Sequence, residues 1–222
     1  MKVLVKQDIL SRNNDAAKEN AACFAAHGIY ALNLMGSPGA GKTALLERTL
    51  AALSGELSMA VIEGDLFTTK DAERIERLGA PVVQINTSGG CHLDAAMVAA
   101  ALASLDLTAL DLIVIENVGN LVCPAEFALG EDAKAVVLSV TEGDDKPLKY
   151  PLMFKESAAA VLNKADLLPH TDFDMAAATE DIRSLHPGIA VLPVSCRTGA
   201  GLSAWYDFLR TAVREKRSGG AA

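Results

Sequence analysis

The 222-residue chain has no apolar run approaching the ~18 residues of a membrane span, which excludes a membrane-crossing helix. Basic residues are in deficit: 20 Lys and Arg stand against 28 Asp and Glu, for a net charge of −8. That balance argues against nucleic acid or an anionic membrane as the main partner. Cysteine is sparse and scattered, at Cys23, Cys91, Cys123 and Cys196. Such spacing does not make a secreted disulfide framework and suits a reducing cytoplasm. Charges interrupt the segment Met1–Asp8, so it does not read as a signal peptide. Internal repeats and low-complexity tracts are missing too. Half the residues are apolar, enough for a sizeable core, and the length predicts one α/β domain with short appendages.

Against this background one stretch organises the chain. Gly36-Ser37-Pro38-Gly39-Ala40-Gly41-Lys42-Thr43 fits G-x-x-x-x-G-K-S/T, the phosphate-binding P-loop. Phosphates need many donors at close range, and backbone N–H groups supply them only from a tightly curled loop. Gly36, Gly39 and Gly41 permit the positive φ angles this requires. Lys42 places a cation on the β- and γ-phosphates, and Thr43 offers a hydroxyl to Mg²⁺. Ile29–Met35 reads as a buried strand leading in. Thr43–Leu50 reads as a helix leading out, so Ala44 lies in the turn nearest the phosphates. A Gly-rich turn matching by chance is the alternative, and both flanks speak against it.

The rest of the chain alternates. Strands are predicted at 59–63, 81–85, 111–116, 135–140, 158–162 and 189–194. Helices are predicted at 15–27, capped by Asn14 or Asp15 and closed by Gly28, and at 71–78, stopped by Gly79. Others are expected at 171–185 and 202–213. Leu93, Ala96, Met97 and Ala100 mark the core stripe of a further helix that begins just after Cys91-His92. The fold class predicted is α/β: a P-loop NTPase with a mostly parallel sheet and helices on both faces.

Asn163-Lys164-Ala165-Asp166 matches N-K-x-D, the guanine-reading motif. Guanine presents N1–H and a 2-amino group, and the Asp166 carboxylate can accept from both. Adenine would set a lone pair against it, at a cost of roughly 1–3 kcal/mol. The Lys164 stem can lie along the base, and Asn163 can brace the loop. Ser195-Cys196-Arg197-Thr198-Gly199 is similar to the S-A-K motif that gives a backbone N–H to guanine O6, with Cys196 where Ala is usual. For Mg²⁺, Asp65 is assigned as the metal-side carboxylate and Glu116 as the Walker B acid; a solvated strand end is the alternative for each. Gly119 follows as part of a γ-phosphate-sensing segment. Lys42, Asp65 and Glu116 are thus the candidate catalytic residues.

Cys91, His92 and Cys123 form a donor set suited to Zn²⁺ or Ni²⁺. Cys91-His92 closes the loop Ser88-Gly89-Gly90 at an expected helix N-terminus, where a thiolate is favoured. An incidental Cys-His pair is the alternative on the residues alone. Helical neighbours project about 100° apart, so a closed four-ligand site from one chain is not expected. A site at or near a two-fold dimer interface is. Cys23 reads as a small buried hydrophobe, and His27, His170 and His186 as surface or helix-end residues.

At this point the chain resembles the nickel-incorporation GTPases of nickel–iron hydrogenase maturation, the HypB family within the SIMIBI class of P-loop NTPases. The resemblance rests on Asn33–Thr43, Glu63–Asp65, Cys91–Ala95, Glu116–Pro124, Ser139–Pro151 and Asn163–Pro169. It implies a slow regulatory GTPase cycling between GTP and GDP, a GTP- and metal-dependent homodimer that carries Ni²⁺ and also binds Zn²⁺. It implies metal ligation by Cys91, His92 and Cys123, work alongside a HypA-type accessory protein, and delivery to the hydrogenase large subunit precursor. The division expected is an N-terminal segment and helix (1–28), a GTPase domain with inserted metal loops (29–217) and a disordered tail (218–222). Two departures stand out. Residues 1–22 contain neither Cys nor His, unlike members with an N-terminal nickel-storage stretch, and Thr69-Lys70 stands where relatives are more acidic or amide-bearing. A urease-maturation GTPase is the near alternative, but its metal motif is Cys-Pro-His. A P-loop small-molecule kinase would have little use for Asn163–Asp166, and a vestigial nucleotide site would not keep Lys42, Thr43 and Asp166.

Overall fold

The computed structural model describes residues 6–65 and 70–219. In chain order the elements are α1 (Lys6–His27), β1 (Tyr30–Gly36), α2 (Lys42–Leu53), β2 (Met59–Asp65), α3 (Lys70–Glu76), β3 (Val82–Asn86), α4 (Ala95–Leu102), β4 (Leu112–Glu116), α5 (Cys123–Glu126), β5 (Ala133–Ser139), α6 (Lys146–Lys149), α7 (Pro151–Lys155), β6 (Ala159–Asn163), α8 (Met175–Leu185), β7 (Ala190–Pro193) and α9 (Leu202–Arg217). The strands form a seven-stranded sheet in the order β3-β2-β4-β1-β5-β6-β7, and every pairing is parallel. All strand C-termini therefore line one rim, and the loops that follow them share it.

The sheet is buried on both faces, which is why its strands read as apolar runs rather than alternating ones. On one face Leu32, Leu34, Val61, Val114, Val137 and Val161 pack against Leu45 and Leu46 of α2 and Trp205 and Leu209 of α9. Trp205 is buried and donates its indole N–H to Thr49 Oγ1 at 2.9 Å, so its one polar atom is satisfied. On the other face Ile62, Ile113 and Ile115 meet Phe24 of α1 and Val98 and Leu102 of α4. Further along, Val136, Leu138, Ala160 and Leu162 meet Phe154 of α7 and Ile182 of α8.

Several expectations need correction. The first helix runs from Lys6, so Asn14 and Asp15 sit inside it rather than capping it; its C-terminal glycine, Gly28, does adopt the left-handed conformation, φ 66°. Helix α8 starts at Met175, because Asp174 accepts from Ala176 N and Ala177 N at 2.9 and 3.0 Å. The residues before it, Ala165–His170, form a 3-10 turn. Helix α4 starts at Ala95 behind the N-cap Asp94, whose carboxylate accepts from Met97 N at 2.8 Å. Its buried positions are Ala95, Val98, Ala101 and Leu102, not Ala96, Met97 and Ala100. Nearly every residue of α4 is apolar, so periodicity could not choose its face. Cys23 is half-buried rather than buried. The histidines fall as expected: His27 and His170 are exposed, and the half-buried His186 is the C-cap of α8, its Nδ1 2.9 Å from Ser157 O. Thr69 and residues 220–222 of the expected tail lie outside the described residues; Ser218 and Gly219 extend α9 by hydrogen bonds to Arg214 O and Lys216 O.

A candidate nucleotide and metal site

The loop between β1 and α2 curls as its glycines predict, with φ of 149°, 78° and 99° at Gly36, Gly39 and Gly41. A side chain on Gly41 would also collide with the Asn163 amide. Gly41 is the N-cap of α2 and offers no side-chain acceptor, so the first N–H groups of the helix are left for an anion. Lys42 is buried and folds back over the loop, donating to Gly36 O at 3.2 Å and Ser37 O at 3.3 Å.

Beside the loop lies a cleft of about 360 Å³. Pro38, Gly39, Gly41, Lys42, Thr43 and Ala44 form one wall, and Asp65, Glu116 and Gly119 another. Thr43 Oγ1 donates to Glu116 Oε1 at 2.7 Å, across 73 residues of sequence. The hydroxyl and the carboxylates present hard oxygens in one place, a donor set that fits Mg²⁺. Two further cleft residues have no role assigned from the sequence, although Glu63 opens the Glu63–Asp65 stretch. Glu63 is buried directly beside Glu116 in the β2–β4 register. Arg74 reaches the cleft while paired in bidentate fashion with Glu47 at 2.6 and 2.8 Å. An acidic residue interrupting the apolar strand Met59–Asp65 was the available sign for Glu63; Arg74, on a short charged helix, left none.

The Asn163–Asp166 segment docks on the same loop. Asn163, at the end of β6, donates to Ala40 O at 2.9 Å and accepts from Lys164 N at 2.7 Å. Lys164 takes a left-handed conformation, φ 61°, and donates to Gly39 O at 2.7 Å. Ser195 Oγ donates to Asp166 Oδ1 at 2.6 Å, orienting the carboxylate. Cys196 N donates to Asn163 Oδ1 at 3.3 Å. Burial pushes the Cys196 thiol up to about 11, so it stays neutral at physiological pH. Arg48 of α2, absent from any motif, grips this loop by donating to Cys196 O at 2.7 Å and Arg197 O at 3.1 Å. Ser37 is held by the carboxylate of Glu142, which also accepts from Ser139 N at 2.9 Å.

On the same rim Cys91, His92 and Cys123 converge, their donor atoms all within 4.8 Å of one another. Cys91 and His92 occupy a loop ahead of Asp94 and not a helix terminus, which removes both the helix-end effect and the 100° splay expected for them. One chain thus brings three donors together. Cys91 Sγ lies 3.3 Å from His92 Nδ1. The His92 ring packs against Phe127, tilted by 34°, with centroids 3.9 Å apart. Burial holds the imidazole below its ordinary value, favouring the neutral, metal-binding form. The hydrogen bond with Cys91, then burial, raises the Cys123 thiol, so a metal would bind there by displacing a proton. Asn120 joins this cluster to the phosphate loop: its backbone N–H donates to Gly36 O at 3.0 Å and its Nδ2 to Cys91 O at 3.2 Å.

A P-loop at the rim of an all-parallel sheet, with an N-K-x-D loop docked on it, defines a P-loop nucleotide-binding protein. Comparison with known proteins narrows this. The family model described as CobW/HypB/UreG, nucleotide-binding domain, matches residues 30–193. The hydrogenase maturation factor HypB of Azotobacter vinelandii is 55% identical over 205 residues, covering 92% of this chain and 68% of that one. A crystal structure of HypB from Helicobacter pylori in complex with nickel superposes with a TM-score of 0.87 at 38% identity, over 95% of this chain and 98% of that one. HypB from Archaeoglobus fulgidus gives the same TM-score at 37% identity, over 92% and 100%. The chain belongs to the HypB family of hydrogenase maturation factors.

Proposed function

We propose that this chain is a GTP-hydrolysing metallochaperone that binds nickel and aids its insertion into the large subunit of nickel–iron hydrogenase. The observation that carries the proposal is the joining, through Asn120, of a P-loop to a Cys91–His92–Cys123 donor triangle on one rim. The nickel bound by the Helicobacter pylori relative supports the choice of cargo. Gly36 to Ala44 cradle the phosphates, and Lys42 neutralises charge developing on the transferred phosphoryl group. Thr43, Glu116 and Asp65 would hold Mg²⁺, which supplies charge neutralisation between the β- and γ-phosphates when bound. Asn163, Lys164 and Asp166, with the Ser195-Cys196 loop, read guanine.

Nickel is the cargo, held by thiolate and imidazole donors that Zn²⁺ would also accept. Among the described residues the cluster offers three donors. A second copy meeting at this loop would complete a four-donor site, so a GTP- and metal-dependent homodimer belongs to the proposal. So do a HypA-type accessory protein and the hydrogenase large subunit precursor as partners, and the cytoplasm as compartment. Residues 29–217 act as the GTPase domain in this reading, with 1–28 preceding it. Among the described residues no water-positioning Gln or arginine finger stands out, so intrinsic hydrolysis is expected at ~10⁻⁴–10⁻² s⁻¹. The test titrates Ni²⁺ into the purified protein in GTP and in GDP while native mass is read, and follows phosphate release. Slow hydrolysis abolished by Lys42→Ala, with nickel bound through Cys91, supports the reading. Turnover many times per second without a partner refutes the switch.

A further inference from the structure

Two asparagines of α1 are buried although nothing in a surface helix calls for them: Asn13 is 8% exposed and Asn20 3%. They stand two turns apart and so share one face of the helix. Their amides bond to the same two segments of chain. Asn13 Nδ2 donates to Ala128 O at 2.7 Å, and its Oδ1 accepts from Ala95 N at 2.9 Å. Asn20 Nδ2 donates to Ala95 O and to Leu129 O, both at 2.8 Å.

Those segments are the ones that carry the metal donors. Ala95 opens α4 directly behind Cys91-His92, and Ala128-Leu129 follow α5, which begins at Cys123. Phe127, next to Ala128, is the ring against which His92 packs. The segment approaches α1 so closely that a Cβ on Gly130, at φ 96°, would lie 2.6 Å from Ala17 O. From the far side Asn117 Oδ1 accepts from Leu93 N at 3.0 Å, and Asn117 Nδ2 donates to Asn33 Oδ1 at 3.1 Å. Packing alone would be served by Leu at positions 13 and 20. An amide is needed only because each bridges two backbone segments that do not pair with each other.

Resting on the nickel reading above, we propose that Asn13 and Asn20 are positioning residues for the metal site: α1 acts as a clamp that fixes the spacing between the Cys91-His92 loop and the Cys123 loop. They touch no metal. They act by holding Ala95 against Ala128 and Leu129, so that the three donors meet without first being ordered.

The test compares wild type, Asn13→Leu, Asn20→Leu and the double variant, with Asn13→Ser and Asn20→Ser as milder versions should the leucine variants fail to fold. Ni²⁺ affinity is read by chelator competition and ligand geometry by the thiolate-to-nickel charge-transfer band. GTP affinity and thermal midpoint serve as controls. A metal-free arm measures capture of phenylarsine oxide, which condenses with two nearby thiols to a dithioarsonite and releases water; Cys91→Ala and Cys123→Ala are its blanks. The clamp predicts a tenfold or greater loss of Ni²⁺ affinity in the leucine variants, about threefold in the serine variants, an altered charge-transfer band, at least fivefold weaker arsenical capture, and GTP affinity within twofold of wild type. Unchanged nickel affinity, band and arsenical capture in folded variants overturn it. Parallel loss of nickel and GTP affinity with a lowered midpoint also overturns it, in favour of a general stabilising role. Should Cys91→Ala leave Ni²⁺ affinity intact, the nickel reading fails, and arsenical capture alone still decides whether α1 sets the spacing of Cys91 and Cys123.

Discussion

Asn120 donates its side-chain amide to the carbonyl of Cys91 at 3.2 Å while its own backbone N–H is taken by Gly36, the first residue of the phosphate loop. One residue therefore bonds both to the phosphate loop and to the loop of Cys91. In the proposed function this bridge couples the two ligands, and coupling is reciprocal: whatever factor GTP imposes on nickel affinity, nickel imposes on GTP affinity.

Asn120→Ala is expected to shrink the ratio of Ni²⁺ affinities in GTP and GDP toward one, by threefold or more, while leaving GTP affinity in the absence of metal within about twofold. Cys123→Ala should act in the same direction, whereas Cys91→Ala and His92→Ala should weaken nickel in both nucleotide states. Chelator competition in each state measures this. A full GTP–GDP difference retained in Asn120→Ala would show that the two sites communicate by another route.

For guanine recognition the wild type should prefer GTP over ATP by at least about tenfold, the size of one ~1.4 kcal/mol discrimination. Asp166→Asn should weaken GTP and admit xanthosine triphosphate, whose 2-oxo group pairs with the new amide. Competition against a fluorescent guanine nucleotide reads both effects, and equal affinity for ATP and GTP would refute the base assignment.

Arg48 holds the loop of Cys196 and Arg197 through two carbonyls. Hydrogen bonds from charged donors contribute about 1.5–3 kcal/mol, less at an exposed site such as this. Arg48→Met is expected to lower GTP affinity three- to tenfold with little change for ATP, since the phosphates are held elsewhere. Nucleotide titrations of the two proteins give the comparison; an equal loss for both nucleotides would place Arg48 in general stability instead.

Cys196 supplies a pH test. Its thiol is pushed by burial from 9.0 to about 11 in the folded chain. Below pH 9 folded and unfolded forms are both protonated, so the stabilisation is complete. As pH rises toward 11 the unfolded thiol ionises first, and stability is lost. The unfolding free energy of wild type, read from denaturant titrations, should therefore fall more steeply than that of Cys196→Ala between pH 9 and 11, by no more than about 2–3 kcal/mol at ~1.4 kcal/mol per unit. At pH 8 the exposed Cys91 should be alkylated well before Cys196; parallel pH curves for the two proteins would contradict the shift.

What the sequence made legible was chemistry that needs fixed residue types at short spacing. Gly36–Thr43 must curl locally to meet phosphates, and Asn163–Asp166 must present one carboxylate to one base edge, so both could be read from a handful of letters. Cys91, His92 and Cys123 were legible as donor types, but their convergence depends on a loop that the apolar run of α4 disguised as the start of a helix. The asparagines were illegible for another reason. Asn13 bonds to a residue 115 positions away and Asn20 to one 75 positions away, and Asn14-Asp15 beside them mimics a helix cap when those partners are out of view. Glu142 and Arg48 likewise gain meaning only through Ser37 and Cys196, brought to them by the sheet.

Helix α9 ends on the rim opposite the phosphate loop, where Lys216 pairs with Asp132 and Arg217 with Asp111, the residues that lead into β5 and β4. This makes the C-terminal end a natural handle. A surface tether, fluorophore or affinity tag attached after residue 219 would leave the phosphate loop, the Asn163–Asp166 loop and the loops of Cys91 and Cys123 facing open solution. The same label placed near Val122, just ahead of α5, or Leu148, within α6, which are 51% and 56% exposed, would sit on the segments that follow β4 and β5. Immobilised by its far end, the molecule would present its working edge to whatever partner is passed over it.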